Sequence, residues 1–196
     1  MPLMRKQEST QPQQHLNIYD ANYLAEYDKR ADTELGRKIY QARWKFVTKF
    51  CQQGVLLDYG CANGAFHREA PDGIVAHGFD INPFSGYKEL HRGMDIDILT
   101  MWDVIEHLPD PTFPFQIYKP TWVFVCTPNI HYCESIPSGW KHFKPGEHIH
   151  YHTYKTLNAF MLGQGYEWMK WDTTEGELRD ISSPNDIMSG AYKCLT

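Results

Sequence analysis

The chain has 196 residues, 42% of them hydrophobic and 14% aromatic, which is enough to bury one α/β core and too little for two complete domains. A formal charge of -5, with both signs interspersed, excludes the strongly basic field of a tight DNA or RNA binder. No apolar run reaches the length of a bilayer span and the N-terminus lacks a signal-peptide core, so a cytoplasmic protein with no membrane association is expected.

Residues 1–14 are polar and rich in Pro and Gln, and are expected to form a flexible arm ahead of a single domain over 15–196. From Asp20 to Phe50 apolar and aromatic residues recur at helical spacing, with Thr33 as a cap, which predicts one or two helices. Val55–Asp58 predicts a strand that ends at Gly60, with a helix starting near Asn63 or Gly64. A second strand is expected over Ile74–Asp80 and a helix over Phe84–Arg92. Third and fourth strands follow at Ile96–Trp102 and Trp122–Cys126, the latter a continuous apolar run suited to burial on both faces of a parallel sheet. A helix over Tyr154–Leu162 precedes two terminal strands, Tyr166–Thr173 and Ile187–Leu195. Strands alternating with helices predict a doubly wound α/β sheet. The five cysteines are odd in number, scattered and free of any CxxC pair, as suits reduced thiols.

The stretch LLDYGCANGAF, Leu56 to Phe66, joins the first strand to its helix. Glycine has no Cβ, so a backbone built from Gly60 and Gly64, with the small Ala62 between them, can approach a ligand closely. Alone, such a turn is as often structural as binding. Asp80 stands about twenty residues further on, at the end of the next strand, where an acid can accept hydrogen bonds from both hydroxyls of a ribose. Dinucleotide and adenosyl sites share this pair, so the discriminator lies elsewhere.

That discriminator is DVIEHLPDP, Asp103 to Pro111, directly after the buried LTMW. Together with LLDYGCANGAF, GFDINP and VFVCTPN, in order, it resembles class I S-adenosylmethionine-dependent methyltransferases, in particular the compact family with a DVLEHLPDP-like segment. The resemblance runs from about Tyr19 to the C-terminus. It implies a Rossmann-like fold with a mostly parallel sheet of seven strands, the last antiparallel, and helices on both faces. It also implies S-adenosylmethionine as cofactor. Asp58, Gly60, Ala62 and Gly64 stand at the positions lining its methionine part, and Ala62 replaces the middle glycine of the usual triplet. Asp80, with Ile81 beside it, stands at the ribose-binding acid, and Trp102, Asp103 and Val104 lie where the family places residues near the adenine and sulfonium. Glu106 and His107 match the family's Glu-His pair at the mouth of the acceptor pocket, and Asn129 ends the following strand facing the same cleft. The stretch between Asp80 and Asp97 is short for the family's usual additional helix, which leaves the adenine-side contact to Met94 or Asp95.

Methyl transfer from a sulfonium requires chiefly that the acceptor be aligned and water excluded. Where the acceptor must lose a proton, His107 suits the role of base, and a hydrogen bond that merely fixes its loop is the plainer alternative. His148, His150 and His152 would share one face if extended, with His148 and His150 placed toward the acceptor; no cysteine or carboxylate sits at a compelling ligand spacing, so no metal is expected. Tyr19, Tyr23 and Tyr27 would form either a lid or a helix packed on the sheet, and Arg43 either pairs with the cofactor carboxylate or snorkels from a helix. The expected acceptor offers oxygen or nitrogen on a small molecule or sugar-like group. A modifier of nucleic acid, a non-catalytic binding module and a nicotinamide-dependent oxidoreductase are the alternatives, and DVIEHLPDP argues against the last. Oligomeric state is not legible.

Overall fold

The computed structural model describes residues 20–82, 84–90, 92–131, 139–180 and 182–195. The expected arm over 1–14 and Tyr19 lie outside the described residues. Two helices open the fold, α1 over Ala21–Ala31 and α2 over Glu34–Thr48. Asp20 caps the first by accepting from the Tyr23 amide at 2.8 Å and Thr33 caps the second by accepting from Gly36 at 3.0 Å, so each side chain satisfies an amide the helix itself leaves open.

Then follow β1 (Gly54–Tyr59), the single turn α3 (Ala65–Arg68), β2 (Ile74–Phe79) and β3 (Ile98–Trp102). The short helix α4 (Phe113–Ile117) leads into β4 (Trp122–Pro128). The chain closes with α5 (Tyr154–Gly163), β5 (Tyr166–Asp172), α6 (Thr174–Arg179) and β6 (Ile187–Cys194). The strands form one sheet in the order β2-β1-β3-β4-β6-β5. β1 to β4 run parallel, while β6 is antiparallel to both β4 and β5. The last strand is thus antiparallel as expected, and the two terminal strands pair with each other.

The sheet has six strands among the described residues where seven were expected, and the reason lies after β2. The predicted helix over Phe84–Arg92 does not form. Asn82 Oδ1 accepts from the Phe84 amide at 2.9 Å and Ser85 Oγ from the Tyr87 amide at 3.1 Å, so short polar side chains take up the amides a helix would need. The Asp80 amide then donates to the Tyr87 carbonyl at 2.7 Å, folding the segment back on the strand it left. This compact return goes straight to β3 and leaves β2 as the sheet edge.

Alternation along the strands splits the core between the two faces. Leu56, Ile98 and Phe124 face Trp44, Phe46 and Val47 of α2, while Leu57, Leu99 and Val123 face Leu157 and Met161 of α5. Each fully buried aliphatic or aromatic side chain contributes about 1.5–3 kcal/mol, so both layers hold the sheet's strand ends in fixed positions. Among the described residues, no helix is long and apolar enough to cross a membrane.

Candidate functional site

The turn after β1 is strapped to the end of β2, because the Gly60 and Cys61 amides both donate to the Phe79 carbonyl, at 2.7 and 3.0 Å. Gly60 has φ of 82°, and a Cβ there would collide with the Val104 side chain, so glycine is required on both counts. Ala62 also sits in the left-handed region, at φ 48°. Its amide donates to Asp80 Oδ2 at 2.6 Å, and the Asn82 amide donates to Asp80 Oδ1 at 2.7 Å. Asp80 therefore clasps the two loops together. Burial raises its pKa against the pull of those two amides.

These loops wall a crevice at the carboxyl ends of the strands, with two lobes of about 510 and 530 Å³. Asp80, Ile81, Val104, Leu90 and His107 line the first, Asp58, Asn63, Arg30 and Arg43 line the second, and Tyr27, Gly60, Ala62, Trp102 and Asp103 belong to both. Helix α1 supplies the roof through Tyr23 and Tyr27, whose hydroxyls are 3.3 Å apart. Asn82 Nδ2 donates to the Asp20 carbonyl at 3.2 Å and ties the start of that helix to the loop below it. Both tyrosines line the crevice. Leu90, rather than the expected Met94 or Asp95, provides the wall on the β2 side.

Two residues expected at the cofactor have partners within the fold. Asp58 is 2% exposed, accepts from Thr100 Oγ1 at 2.8 Å, and meets His67 Nδ1 at 3.7 Å, so only its edge reaches the second lobe. Gly64 precedes α3 with φ of 77° and packs beside Tyr87 and His67, behind the crevice walls. The indole nitrogen of Trp102 is buried without a hydrogen bond, and Arg43 stacks over its ring at 4.9 Å.

Arg43 resolves in favour of neither sequence alternative. Its guanidinium grips Glu175 of α6 through two bonds, at 2.6 and 2.9 Å, and reaches Asp103 Oδ2 at 3.2 Å. Arg179 joins both acids. Burial pushes the Asp103 carboxyl up, but Arg179 and then Arg43 outweigh it and hold it down at about 2. Asp103 itself has φ of 58°, a strained position for a residue with a side chain, held by this network. Neither Glu175 nor Arg179 drew attention in the sequence, where a six-residue helix after a strand gives almost no periodic signal.

On the opposite flank, the turn Ile105–His107 carries Glu106 inward and His107 to the crevice wall. His107 Nδ1 lies 2.9 Å from the Glu147 carbonyl, which can only accept, so Nδ1 bears the proton and Nε2 the lone pair. Burial lowers the pKa of this ring and keeps it neutral. Glu106 is 1% exposed, and neither of its carboxylate oxygens has a hydrogen bond; burial and then the Asp103 charge push it up to about 8. The three histidines expected on one face separate. His148 turns in against His107, with ring centroids 4.7 Å apart, while His150 Nε2 donates to the Leu108 carbonyl at 2.9 Å and His152 is buried beside Phe160. Neither His148 nor His150 lines the crevice. Asn129, expected in the cleft, is fully buried outside it, with its amide donating to the Asn185 carbonyl at 2.9 Å and its oxygen accepting from the His131 amide. It anchors the segment after β4.

A crevice at the carboxyl ends of β1 to β3, with a glycine turn on one side and an acid ending the second strand, defines a Rossmann-like nucleotide-cofactor fold. A profile of the family described as "Methyltransferase domain" matches residues 27–170. The chain belongs to this family and is a class I S-adenosylmethionine-dependent methyltransferase. No curated protein matches the sequence. Among solved structures, the chain is similar to that of a complex between the Haloferax volcanii Trm112 methyltransferase activator and the putative methyltransferase, at 13% identity and a TM-score of 0.63, covering 89% of this chain and 97% of that one. It is also similar to magnesium protoporphyrin IX methyltransferase from Synechocystis with bound SAH, at 10% identity and a TM-score of 0.60, over 91% and 97% of the two chains. A SAM-dependent methyltransferase from Aquifex aeolicus aligns at 11% identity and a TM-score of 0.59, over 91% of this chain and all of the other. At these identities the likeness is one of fold.

Proposed function

We propose that the chain transfers a methyl group to an oxygen or nitrogen atom of a small-molecule or sugar-like acceptor. The observation that carries this reading is the two-lobed crevice under α1, which is apolar on its first side, roofed by tyrosines and confined to the ends of the strands.

The residues present fit S-adenosylmethionine. Each Asp80 oxygen accepts one amide and retains a lone pair, so the carboxylate can clasp the loops and still take ribose hydroxyls. Ile81, Leu90 and Val104 offer apolar walls for a purine in the first lobe, and the unsatisfied Trp102 indole N–H offers a donor at the junction. Gly60, Ala62 and Asn63 supply small side chains and backbone to the second lobe, where Arg30 brings positive charge for a carboxylate. Bound there, the cofactor supplies an electrophilic methyl group on a positively charged sulfur.

Tyr23 and Tyr27 exclude water from the first lobe, which favours alignment of the acceptor over its loss to solvent. His107 presents its Nε2 side to the Glu106 flank of that lobe and, being neutral, is in the state required to take a proton from the acceptor. Glu106, protonated and behind the wall, is a positioning group for this turn. The acidic charge of the whole chain favours an uncharged or cationic acceptor over nucleic acid, and the free thiols of Cys51, Cys61, Cys126 and Cys194 suit a reducing compartment such as the cytoplasm.

Transfer of a labelled methyl group, screened over hydroxylated and amine metabolites, glycans and RNA, tests the acceptor class. Incorporation into a small molecule with a steady rate between low and moderate salt is the expected result. Incorporation only into RNA, falling steeply with salt, would replace this reading with the nucleic-acid one.

A further inference from the structure

The flank of the crevice holds a set of donor atoms, from Glu106, His107 and His148, that the fold has brought together. The Glu106 carbonyl accepts from the Ile149 and His150 amides, at 2.9 and 3.0 Å, and these two bonds pin the segment carrying His148 against the turn carrying Glu106 and His107. One donor atom from each of the three side chains lies within 4.8 Å of the other two. His107 Nε2 and Glu106 Oε1 are 3.9 Å apart. The His107 and His148 rings stand nearly perpendicular, at 84°, an arrangement that lets two nitrogens converge without stacking.

The surroundings of each member suit a shared ligand. The Glu147 carbonyl fixes the His107 tautomer from behind, as the outer partners of metal-bound imidazoles do. Glu106 is 99% enclosed, with both oxygens lacking hydrogen bonds, and His148, 6% exposed, has a buried Nδ1 without one. An unpaired carboxylate in such a place is unfavourable unless it keeps a proton or gains a positive partner.

We propose that Glu106, His107 and His148 form a binding site for one divalent cation of the transition series, with Zn²⁺ and Mn²⁺ as the best matches to two imidazoles and a carboxylate. Ligand distances of about 2.0–2.2 Å require the three donors to close by roughly 1 Å, a movement within the reach of side-chain rotation. Three protein ligands leave a coordination position open, and His107 stands on the crevice wall, so the cation would border the acceptor space. Loading takes the His107 lone pair and ends its availability as a base. In the methyltransferase reading, on which this last consequence rests, a hydroxyl acceptor would then be acidified by the cation instead of deprotonated by imidazole. Cation binding itself does not depend on that reading.

The test uses the full chain, without a histidine tag, stripped by chelator and dialysed against Zn²⁺, Mn²⁺ or Mg²⁺, with bound metal measured by mass spectrometry. The expected result is one Zn²⁺ or Mn²⁺ per chain, with affinity weakened about tenfold or more in Glu106→Gln and in His148→Ala. Loading the wild-type chain with Co²⁺ should give visible absorption of a nitrogen-ligated ion, a readout that survives if either variant fails to fold. No stoichiometric metal and no Co²⁺ spectrum in the wild type, or equal affinity in folded variants, would overturn the site. Binding of S-adenosylhomocysteine, measured on the same samples, separates the two claims: a chain that binds it but loads no metal sinks the cation site alone, and a chain that loads metal but does not bind it sinks the cofactor reading alone.

Discussion

At the scale of single residues, Asp80 shows how one side chain can serve the fold and the site together. Its two oxygens hold Ala62 in a left-handed conformation and Asn82 in the following turn, and both loops become crevice walls. His152 illustrates a different residue-scale effect. Burial, with the neighbouring His150, lowers it to about 4 from an ordinary value of 6.5, so the folded chain resists protonation that the unfolded chain accepts. Between those two values the unfolded state binds more protons, and stability must fall as pH falls. Complete by pH 4, the loss from this group reaches about 3 kcal/mol at most. Urea unfolding at pH 7 and pH 5 should therefore show a smaller pH dependence for His152→Phe than for the wild type; parallel losses would contradict it. Asp80 was legible in the sequence because a glycine turn and an acid one strand later are close in chain order. Asn129 misled, because strand-end position tells where a residue sits along the sheet but not which partners take its amide.

At the scale of elements, α6 matters beyond its length. It delivers Glu175 and Arg179 to Arg43 of α2 and Asp103 after β3, so four charges cross-link three parts of the chain beside the crevice. Removing one partner leaves the others buried and unpaired, which costs about 3–5 kcal/mol. Glu175→Ala should lose that much in urea denaturation, whereas Lys49→Ala, which bridges Asp172 from an exposed position on the surface, should lose less than about 1 kcal/mol. Equal effects would show that the buried network is not a structural clamp. Helices α1, α2 and α5 and all six strands were readable from apolar periodicity, with ends shifted by a residue or two. The helix expected over Phe84–Arg92 was not, because the apolar spacing there competes with Asn82 and Ser85, whose side chains cap turns. The Arg43 network escaped as well, since its partners lie far apart in sequence and charge pairing has no periodic signature.

At the scale of the whole molecule, four parallel strands bring their carboxyl ends together and the antiparallel pair closes the far side, which places a crevice beneath α1 where cofactor and acceptor would meet. The glycine turn, Asp80 and the Asp103–His107 segment come from the ends of three different strands, and the fold converts their order in the chain into one wall. Saturating cofactor product should stabilise such a molecule, by about 2.7 kcal/mol at a hundredfold excess over Kd. The most direct test of the account is calorimetric titration of the chain with S-adenosylhomocysteine, alongside Asp80→Ala with its folding checked by thermal melting. One site per chain, weakened about tenfold or more by the substitution, is the predicted result. No heat of binding to the wild type, or an unchanged affinity in a folded Asp80→Ala, would contradict it.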